Sequence, residues 1–184
     1  MFLARQVVGD RGRMNGFSAD AGDDVWAVGI LSAGTAAILH FNGTRWSRVA
    51  SPGFPQGFSS PRAVTPLSPT DVWLAEEVTV NNECCPKGLI EHWDGTSFSV
   101  VASPDPNPRT TPNLSGIAAI SADDIWAVGF AVESWNGTSW SIIATPAPAG
   151  GQLDGVTALG DGTVVAVADS TNSLGMTSGL IVDN

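Results

Sequence analysis

The feature that most constrains the fold of this chain is a short segment that returns along the sequence. It reads DVWAVG from Asp24, DVWLAE from Asp71 and DIWAVG from Asp124. A weaker fourth copy, GTVVAVA, covers residues 162–168. The copies lie about 47 residues apart, a period typical of propellers and solenoids. We therefore expect four copies of one supersecondary unit.

A second landmark follows each of the first three copies. It reads HFNGTRW from His40, HWDGTSF from His92 and SWNGTSW from Ser134, and a Ser-Pro or Thr-Pro pair follows it each time. Asn-Gly or Asp-Gly between apolar runs is the strongest short signal of a β-hairpin. It predicts a type I′ turn, in which both central residues take positive φ.

Each unit is predicted to contain four short antiparallel strands, called a to d. Strand a precedes an acidic turn, strand b is the Val-Trp-Ala-Val run, and strands c and d flank the Asx-Gly turn. No stretch keeps a 3.6-residue apolar period, so we expect few helices. Four antiparallel strands in 40–50 residues are typical of a β-propeller blade. Because neighbouring blades cover each other's faces, Trp26, Trp73 and Trp126 of strand b should be buried.

The two ends of the sequence predict how the propeller closes. In repeat phase the N-terminus falls at the start of a strand d, and residues 179–184 match the end of a strand c. We therefore expect residues 1–8 to supply the outer strand of the last blade, which would remove open sheet edges. The predicted fold is one all-β domain over residues 1–184, a closed propeller of four blades with four antiparallel strands each. Its repeats cover about residues 14–51, 58–103, 114–145 and 153–184.

Two other architectures fit the same repeat. The chain could form half of an eight-bladed dimer, or it could be a segment of a longer array. The expected oligomeric state is accordingly a monomer, or a dimer if the ring has eight blades.

The assembled pattern, D-[VI]-W-A-V-G followed by H-W-[ND]-G-T-x-W and Ser-Pro, resembles the Trp-rich propeller repeats of secreted and cell-surface bacterial proteins. The likeness covers residues 14–170 and departs at Glu76, where two other copies have Gly29 and Gly129. It implies the propeller fold and an extracellular or cell-surface location, although the N-terminal residues show no signal peptide. It implies no particular activity.

Composition excludes some classes of partner. The formal net charge is −10, and no basic run is present, which argues against a nucleic-acid ligand. No apolar run approaches the 18 residues of a membrane-spanning helix. A protein or glycan ligand remains open.

The titratable residues predict no catalytic centre. His40 and His92 occupy the same repeat position, as do Glu91 and Glu133, and a residue that recurs at one position is expected to be structural. Carboxylates one blade apart do not form the facing pair of a glycosidase. No glycine-rich phosphate loop or HExxH motif is present. The acidic turn at 20–24 is explained as an Asx turn, so we predict no enzyme activity, no cofactor and no metal ion.

The most individual segment is the connection between strands b and c of the second repeat. It is far longer than its counterpart in the third repeat, and loops that vary on a constant scaffold commonly carry binding. The adjacent cysteines in it leave a strained vicinal disulfide, free thiols or an intermolecular bridge open. The candidate binding loop consists of Asn81, Asn82, Glu83, Cys84, Cys85 and Lys87.

The sequence therefore predicts a non-catalytic binding or scaffold module that recognises a protein or a glycan through loops on one face. The alternative is a fragment or compact form of a propeller hydrolase or lyase that acts on carbohydrate. Polar residues converging on the central channel would distinguish the two, and we expect few of them.

Overall fold

The structure is a computed structural model. It describes residues 12–32, 34–53, 57–80, 87–104, 113–144, 152–171 and 177–183. In these ranges every regular element is a β-strand. The described residues contain no helix long and apolar enough to cross a membrane.

The strands form four antiparallel sheets, which follow one another along the chain. The first sheet contains β1 (Gly12–Ala21), β2 (Asp24–Leu31), β3 (Ala36–Phe41) and β4 (Trp46–Val49). The second contains β5 (Gly57–Ser68), β6 (Asp71–Val80), β7 (Lys87–Trp93) and β8 (Phe98–Val101). The third contains β9 (Leu114–Ser121), β10 (Asp124–Gly129), β11 (Val132–Trp135) and β12 (Trp140–Ile143). The fourth contains β13 (Gln152–Ala158), β14 (Val164–Thr171) and β15 (Thr177–Asp183).

Each sheet is a meander in which consecutive strands pair, as the repeat predicts. The inner strands β1, β5, β9 and β13 lie side by side in that order, so the four blades are arranged around a common axis. The fourth blade shows three strands in the described residues. Residues 1–8, the predicted closing strand, lie outside those residues, and the closed ring therefore stays a prediction.

The blades are held together by aromatic contacts between neighbours. The strand-b tryptophan of one blade packs against the aromatic pair that flanks the c–d turn of the next blade. The Trp26 ring lies 5.6 Å from Trp93 and 5.8 Å from Phe98. In the same way, the Trp73 ring contacts the rings of Trp135 and Trp140 in the third blade. Aromatic pairs at such distances stabilise a core beyond the area that they bury.

The prediction for the three strand-b tryptophans is confirmed for two of them. Trp26 and Trp73 are buried, whereas Trp126 is only half-buried. The reason is the next blade, because the fourth repeat has Asn184 at the position of Trp93 and Trp135. In the described residues, the fourth blade therefore offers Trp126 no equivalent aromatic partner.

The c–d turns differ from the predicted type I′ turn. Each is a four-residue loop, at 42–45, 94–97 and 136–139. In the third loop the Asn136 side-chain oxygen accepts hydrogen bonds from the backbone N–H groups of Thr138 and Ser139. The sequence signal located the hairpin correctly, but the Asx side chain stabilises a longer loop than the two-residue turn.

The three c–d turns occupy the same end of their sheets. The glycine of each turn lies against the a–b turn of its own blade, as Gly137 lies against Asp123. We call this end of the propeller the hairpin face. The three equivalent turns therefore share one face of the propeller.

Candidate functional site

The four inner strands surround a polar cavity of about 500 Å³ at the end of the sheets opposite the hairpin face. We call it the axial cavity. Every blade contributes to its lining. Its polar residues are Arg13, Asn15, Arg62, Asn113, Ser115, Gln152 and Asp154. A second cavity of about 380 Å³ continues between the same four strands towards the a–b turns.

The axial cavity is lined by one β-bulge from each inner strand. In β1 the pairing with β2 skips Asn15, and in β5 the pairing with β6 skips Arg62. The same skip leaves Ser115 unpaired in β9 and Asp154 unpaired in β13. A bulge bends its strand and redirects a side chain, and bulges are common beside functional sites. We call these four the bulge residues, and the end of the propeller that carries them the bulge face.

Small residues after the bulges let the inner strands approach one another. A Cβ atom added at Gly16 would lie 2.8 Å from the backbone oxygen of Arg62 in the next blade. One added at Gly116 would lie 3.1 Å from the backbone nitrogen of Val156. Larger side chains at these positions would push the blades apart, so the repeated small residue sets the width of the axial cavity.

Hydrogen bonds between side chains fix the bulge residues in place. The Asn15 amide donates to the backbone oxygen of Pro61 in the next blade at 2.7 Å, and Arg13 donates to the Asn15 oxygen at 3.1 Å. On the opposite side of the axis, the Gln152 amide donates to the Ser115 hydroxyl at 2.6 Å. The bonds from Asn15 to Pro61 and from Gln152 to Ser115 cross from blade to blade, and together with the bond within β1 they hold these polar groups at defined positions.

The charges around the axial cavity are of both signs. The Arg62 guanidinium donates to the Glu77 carboxylate within its own blade. Asp154 is exposed and is the single carboxylate among the described lining residues. The cavity thus combines amides, a hydroxyl, guanidinium groups and one carboxylate, which suits a ligand that forms several hydrogen bonds.

The expectation that few polar residues converge on the axis is wrong. The sequence does contain a signal for them. A polar residue, a small residue and an apolar residue follow one another in each strand a, as in Asn15-Gly16-Phe17 and Asp154-Gly155-Val156. This triplet lies in strand a, outside the landmarks of strand b and the hairpin that define the repeat. Its significance depends on the bulge, which is a property of strand pairing.

Two carboxylates are buried between the first and second blades. Glu76 and Glu91 point to the same face of the second sheet, and both are fully buried. Glu91 accepts hydrogen bonds from the Ser51 hydroxyl at 2.9 Å and the Gly53 backbone at 3.1 Å, and the Ser59 hydroxyl donates to Glu76. These three donor residues line a groove of about 700 Å³ between the two blades.

Burial governs the ionisation of this pair. The pKa of Glu76 is raised to about 8. Loss of solvent is the largest cause, and the repulsion from Glu91 outweighs the Ser59 hydrogen bond, which lowers the pKa. Burial likewise raises the pKa of Glu91, against the opposing effect of the hydrogen bonds from Ser51 and Gly53. The carboxylate that neighbours Glu91 is thus Glu76. From the sequence, Glu76 is notable only because two other repeats have glycine at that position.

Both histidines belong to a repeated packing arrangement. The His40 ring stacks on Trp26 at 4.3 Å and lies 2.6 Å from an Asp24 oxygen that also accepts the Trp26 indole N–H. His92 and Asp71 repeat these contacts around the second strand-b tryptophan. This agrees with the structural role that their shared repeat position predicts.

The predicted binding loop can be placed only in part. Asn81, Asn82, Glu83, Cys84 and Cys85 lie outside the described residues. Lys87 begins β7 at the bulge-face end of the second sheet. Within the described part of the chain, no three His, Cys, Asp or Glu side chains come together as a metal site would require.

Comparison with known proteins supports the fold. No protein-family model matches the chain, and no curated protein matches it. Among solved structures, the chain is similar to YCF48 bound to a D1 peptide, with a TM-score of 0.51 and 16% identity over 97% of this chain and 56% of that one. It is also similar to the Aleuria aurantia lectin in complex with α-methyl-L-fucoside, with a TM-score of 0.56 and 11% identity over 88% and 57%.

A third similar structure is the GH43 endo-arabinanase from Bacillus licheniformis, with a TM-score of 0.53 and 11% identity over 99% of this chain and 73% of that one. At such identities the likeness shows the fold alone, and the fold is a β-propeller. The chain spans a little more than half the length of YCF48 and of the lectin.

Proposed function

We propose that the chain is a non-catalytic binding module that takes up a polar ligand at the axial cavity. One observation carries this proposal. The four bulge residues share a backbone position, yet their side chains are an amide, a guanidinium, a hydroxyl and a carboxylate. A position needed only for the fold would be expected to repeat its chemistry, as the Asx residue of the hairpins does. Four different groups around one cavity favour recognition of an asymmetric ligand.

The distribution of carboxylates favours binding over hydrolysis. Glycoside hydrolysis commonly uses two carboxylates that flank the scissile bond. Asp154 is the one carboxylate among the described residues that line the axial cavity. The pair Glu76 and Glu91 has no exposed surface, so it would have to leave the core to contact a substrate. Polar side chains do converge on the axis, as the carbohydrate hydrolase or lyase alternative would require, but the described lining holds one carboxylate where glycoside hydrolysis commonly uses two, and this supports the binding role.

The surroundings of the tryptophans favour a protein ligand over a glycan. Sugar rings commonly pack on exposed aromatic faces, whereas none of the seven tryptophans here is exposed: six are buried or half-buried between blades, and Trp46 is half-buried on the first blade. The bulge residues instead offer the donors and acceptors that a peptide backbone requires. The similar structures include one bound to a peptide and one bound to a fucoside, and both ligand classes therefore enter the test. The resemblance to secreted bacterial repeats supports an extracellular or cell-surface location.

The test begins with peptide and glycan arrays probed with the purified chain, followed by titration of each hit. We expect peptide hits whose affinity falls at least tenfold in Asp154→Asn, since a lost charged contact costs about 1.5–3 kcal/mol. Asp94→Asn is the matched control, because it removes a carboxylate from the hairpin face and restores the Asn found in the other two turns. Its affinity should equal that of the wild type.

Two results would contradict the proposal. Equal affinities in both variants and the wild type would place the ligand away from the axial cavity. Carbohydrate hydrolysis by the wild type that disappears in Glu76→Gln would support the hydrolase instead.

A further inference from the structure

The first blade exposes a surface that the other blades bury. Phe17 in β1 occupies the same repeat position as Val64 in β5 and Ile117 in β9. Val64 and Ile117 are each only 5% exposed, because they pack against the preceding blade. Phe17 is 83% exposed although it is the largest of the three.

Neighbouring positions on this sheet show the same contrast. Val25 is half-buried, whereas its equivalents Val72 and Ile125 are fully buried. Phe41 and Trp46 form an aromatic pair with ring centroids 5.5 Å apart, the first-blade copy of the pairs that receive Trp26 and Trp73 in the next two blades. We call Phe17, Val25, Phe41 and Trp46 the first-blade face. It has the composition of an interface between blades, and no blade of the described residues covers it.

The fourth blade exposes the complementary surface. Val167 in β14 is 46% exposed, while its equivalents Val28 and Val128 are at most 1% exposed. Val165 is half-buried and occupies the repeat position of Trp26 and Trp73. We call Val165 and Val167 the fourth-blade face.

The structure contains three interfaces between neighbouring blades. In each, strand-b side chains of one blade, such as Trp26 and Val28, pack on the face of the next blade that carries the residue equivalent to Phe17. The first-blade face should therefore pack against the strand-b side chains of another blade. Among the described residues, the fourth-blade face is the set of strand-b side chains that no following blade covers. These two faces do not meet within the molecule. The described strands of the first and fourth blades share no packing comparable to that between β1 and β5, β5 and β9, or β9 and β13.

We propose that the first-blade face packs on the fourth-blade face of a second copy of this chain, so that two copies complete one eight-bladed ring. Two-fold symmetry generates two identical interfaces and leaves neither face uncovered. The blade that covers Phe17 then presents the same strand-b positions as the blades that cover Val64 and Ile117, with Val165 in place of the tryptophan. The bulge residues of both copies would line one common axis, so the second copy would contribute to the ligand site.

The first experiment measures mass by sedimentation equilibrium on the full 184-residue chain. We expect a dimer for the wild type and half that mass for Phe17→Glu, which places a charge in the interface. Because Phe17 is exposed within its own chain, the variant should fold, and an unchanged circular dichroism spectrum would verify this. Phe130→Glu is the matched control, since Phe130 is 42% exposed beside the b–c turn of the third blade, and it should remain dimeric.

A second experiment tests which face meets which. Val167→Lys alone should also be monomeric, but an equimolar mixture of Phe17→Glu and Val167→Lys should recover the dimer mass. One interface of the mixed dimer is wild type in both faces, and the other joins Glu to Lys. A heterodimer of this kind forms only if the two faces contact each other across copies.

Several outcomes would overturn the two-copy ring. They are a wild-type monomer at every soluble concentration, a dimer that survives Phe17→Glu, and head-to-tail polymers longer than two copies. Ligand binding is measured separately on the wild-type chain, whatever its mass, so failure of the ring would leave the proposed binding role to its own test.

Discussion

The two faces of the propeller are built from the same repeats but differ in what the repeats keep constant. On the hairpin face the chemistry recurs, and an Asx oxygen accepts two backbone N–H groups in each of the three c–d turns. On the bulge face the backbone recurs in all four blades while the side chain changes from Asn15 to Arg62, Ser115 and Asp154.

This difference separates structural from functional use of one repeat. In the hairpins the Asx oxygens accept hydrogen bonds within their own turns, so replacing an Asx residue there should lower the stability of the fold. At the bulges the side chains point towards the axis and their chemistry differs from blade to blade, although Asn15, Arg62 and Ser115 also bond to other protein groups. Stability and ligand affinity should therefore respond to different sets of residues.

The largest expected effect concerns the frame that both faces share. Trp26→Ala should lower the free energy of unfolding by about 3–5 kcal/mol, the usual cost of removing a buried aromatic side chain. Trp126→Ala should cost roughly half as much, because Trp126 is half-buried and has no equivalent aromatic partner in the fourth blade. Urea denaturation of the two variants checks this. Equal losses would show that the fourth blade covers Trp126 as fully as the second covers Trp26.

An intermediate effect concerns the buried carboxylates between the first two blades. The pKa of Glu76 is raised to about 8 in the folded chain from an ordinary value of 4.5, so the fold favours the protonated form. The folded state then binds more protons than the unfolded state between these values, and stability falls as pH rises through this window. Glu76→Gln keeps the shape of the protonated acid and should remove the part of this dependence that Glu76 causes, while the raised pKa of Glu91 leaves a smaller part.

At a pH above 8 we expect Glu76→Gln to be more stable than the wild type by up to about 5 kcal/mol, at about 1.4 kcal/mol for each pH unit between 4.5 and about 8, and below 4.5 the two should be nearly equal. Urea midpoints measured across this range test the expectation. A wild-type midpoint that does not change with pH would show that the pair is solvated or neutralised by another group.

Much of the frame can be predicted from the sequence because it depends on local patterns. The strand-b tryptophans and the Asx-Gly turns mark strands and hairpins without reference to other blades. The bulges could not be predicted in this way, because Asn15 and Asp154 are skipped only when two strands pair in a particular register. Glu76 and Glu91 come together because they are diagonal neighbours on paired strands, which the sequence does not show. Trp126 is half-buried because the described part of the fourth blade has no aromatic side chain to pack against it.

The smallest expected effect separates packing from backbone strain on the hairpin face. Gly137 has a φ of +86° in its c–d turn, and Gly162 has a φ of +88° in the a–b turn of the fourth blade. An alanine at either position should cost about 1 kcal/mol, since residues with a Cβ atom rarely adopt this conformation. A Cβ at Gly137 would also lie 2.9 Å from the Asp123 Cβ, whereas one at Gly162 would meet nothing within 4 Å.

Gly137→Ala should therefore be less stable than Gly162→Ala by less than about 1 kcal/mol, with neither variant altering ligand affinity. Thermal unfolding of the two variants and titration with a ligand from the array check both points. Equal stabilities would mean that the third c–d turn does not rest on the acidic turn. A loss of affinity in Gly137→Ala larger than that in Asp154→Asn would place the ligand on the hairpin face, and the difference drawn here between the two faces would be reversed.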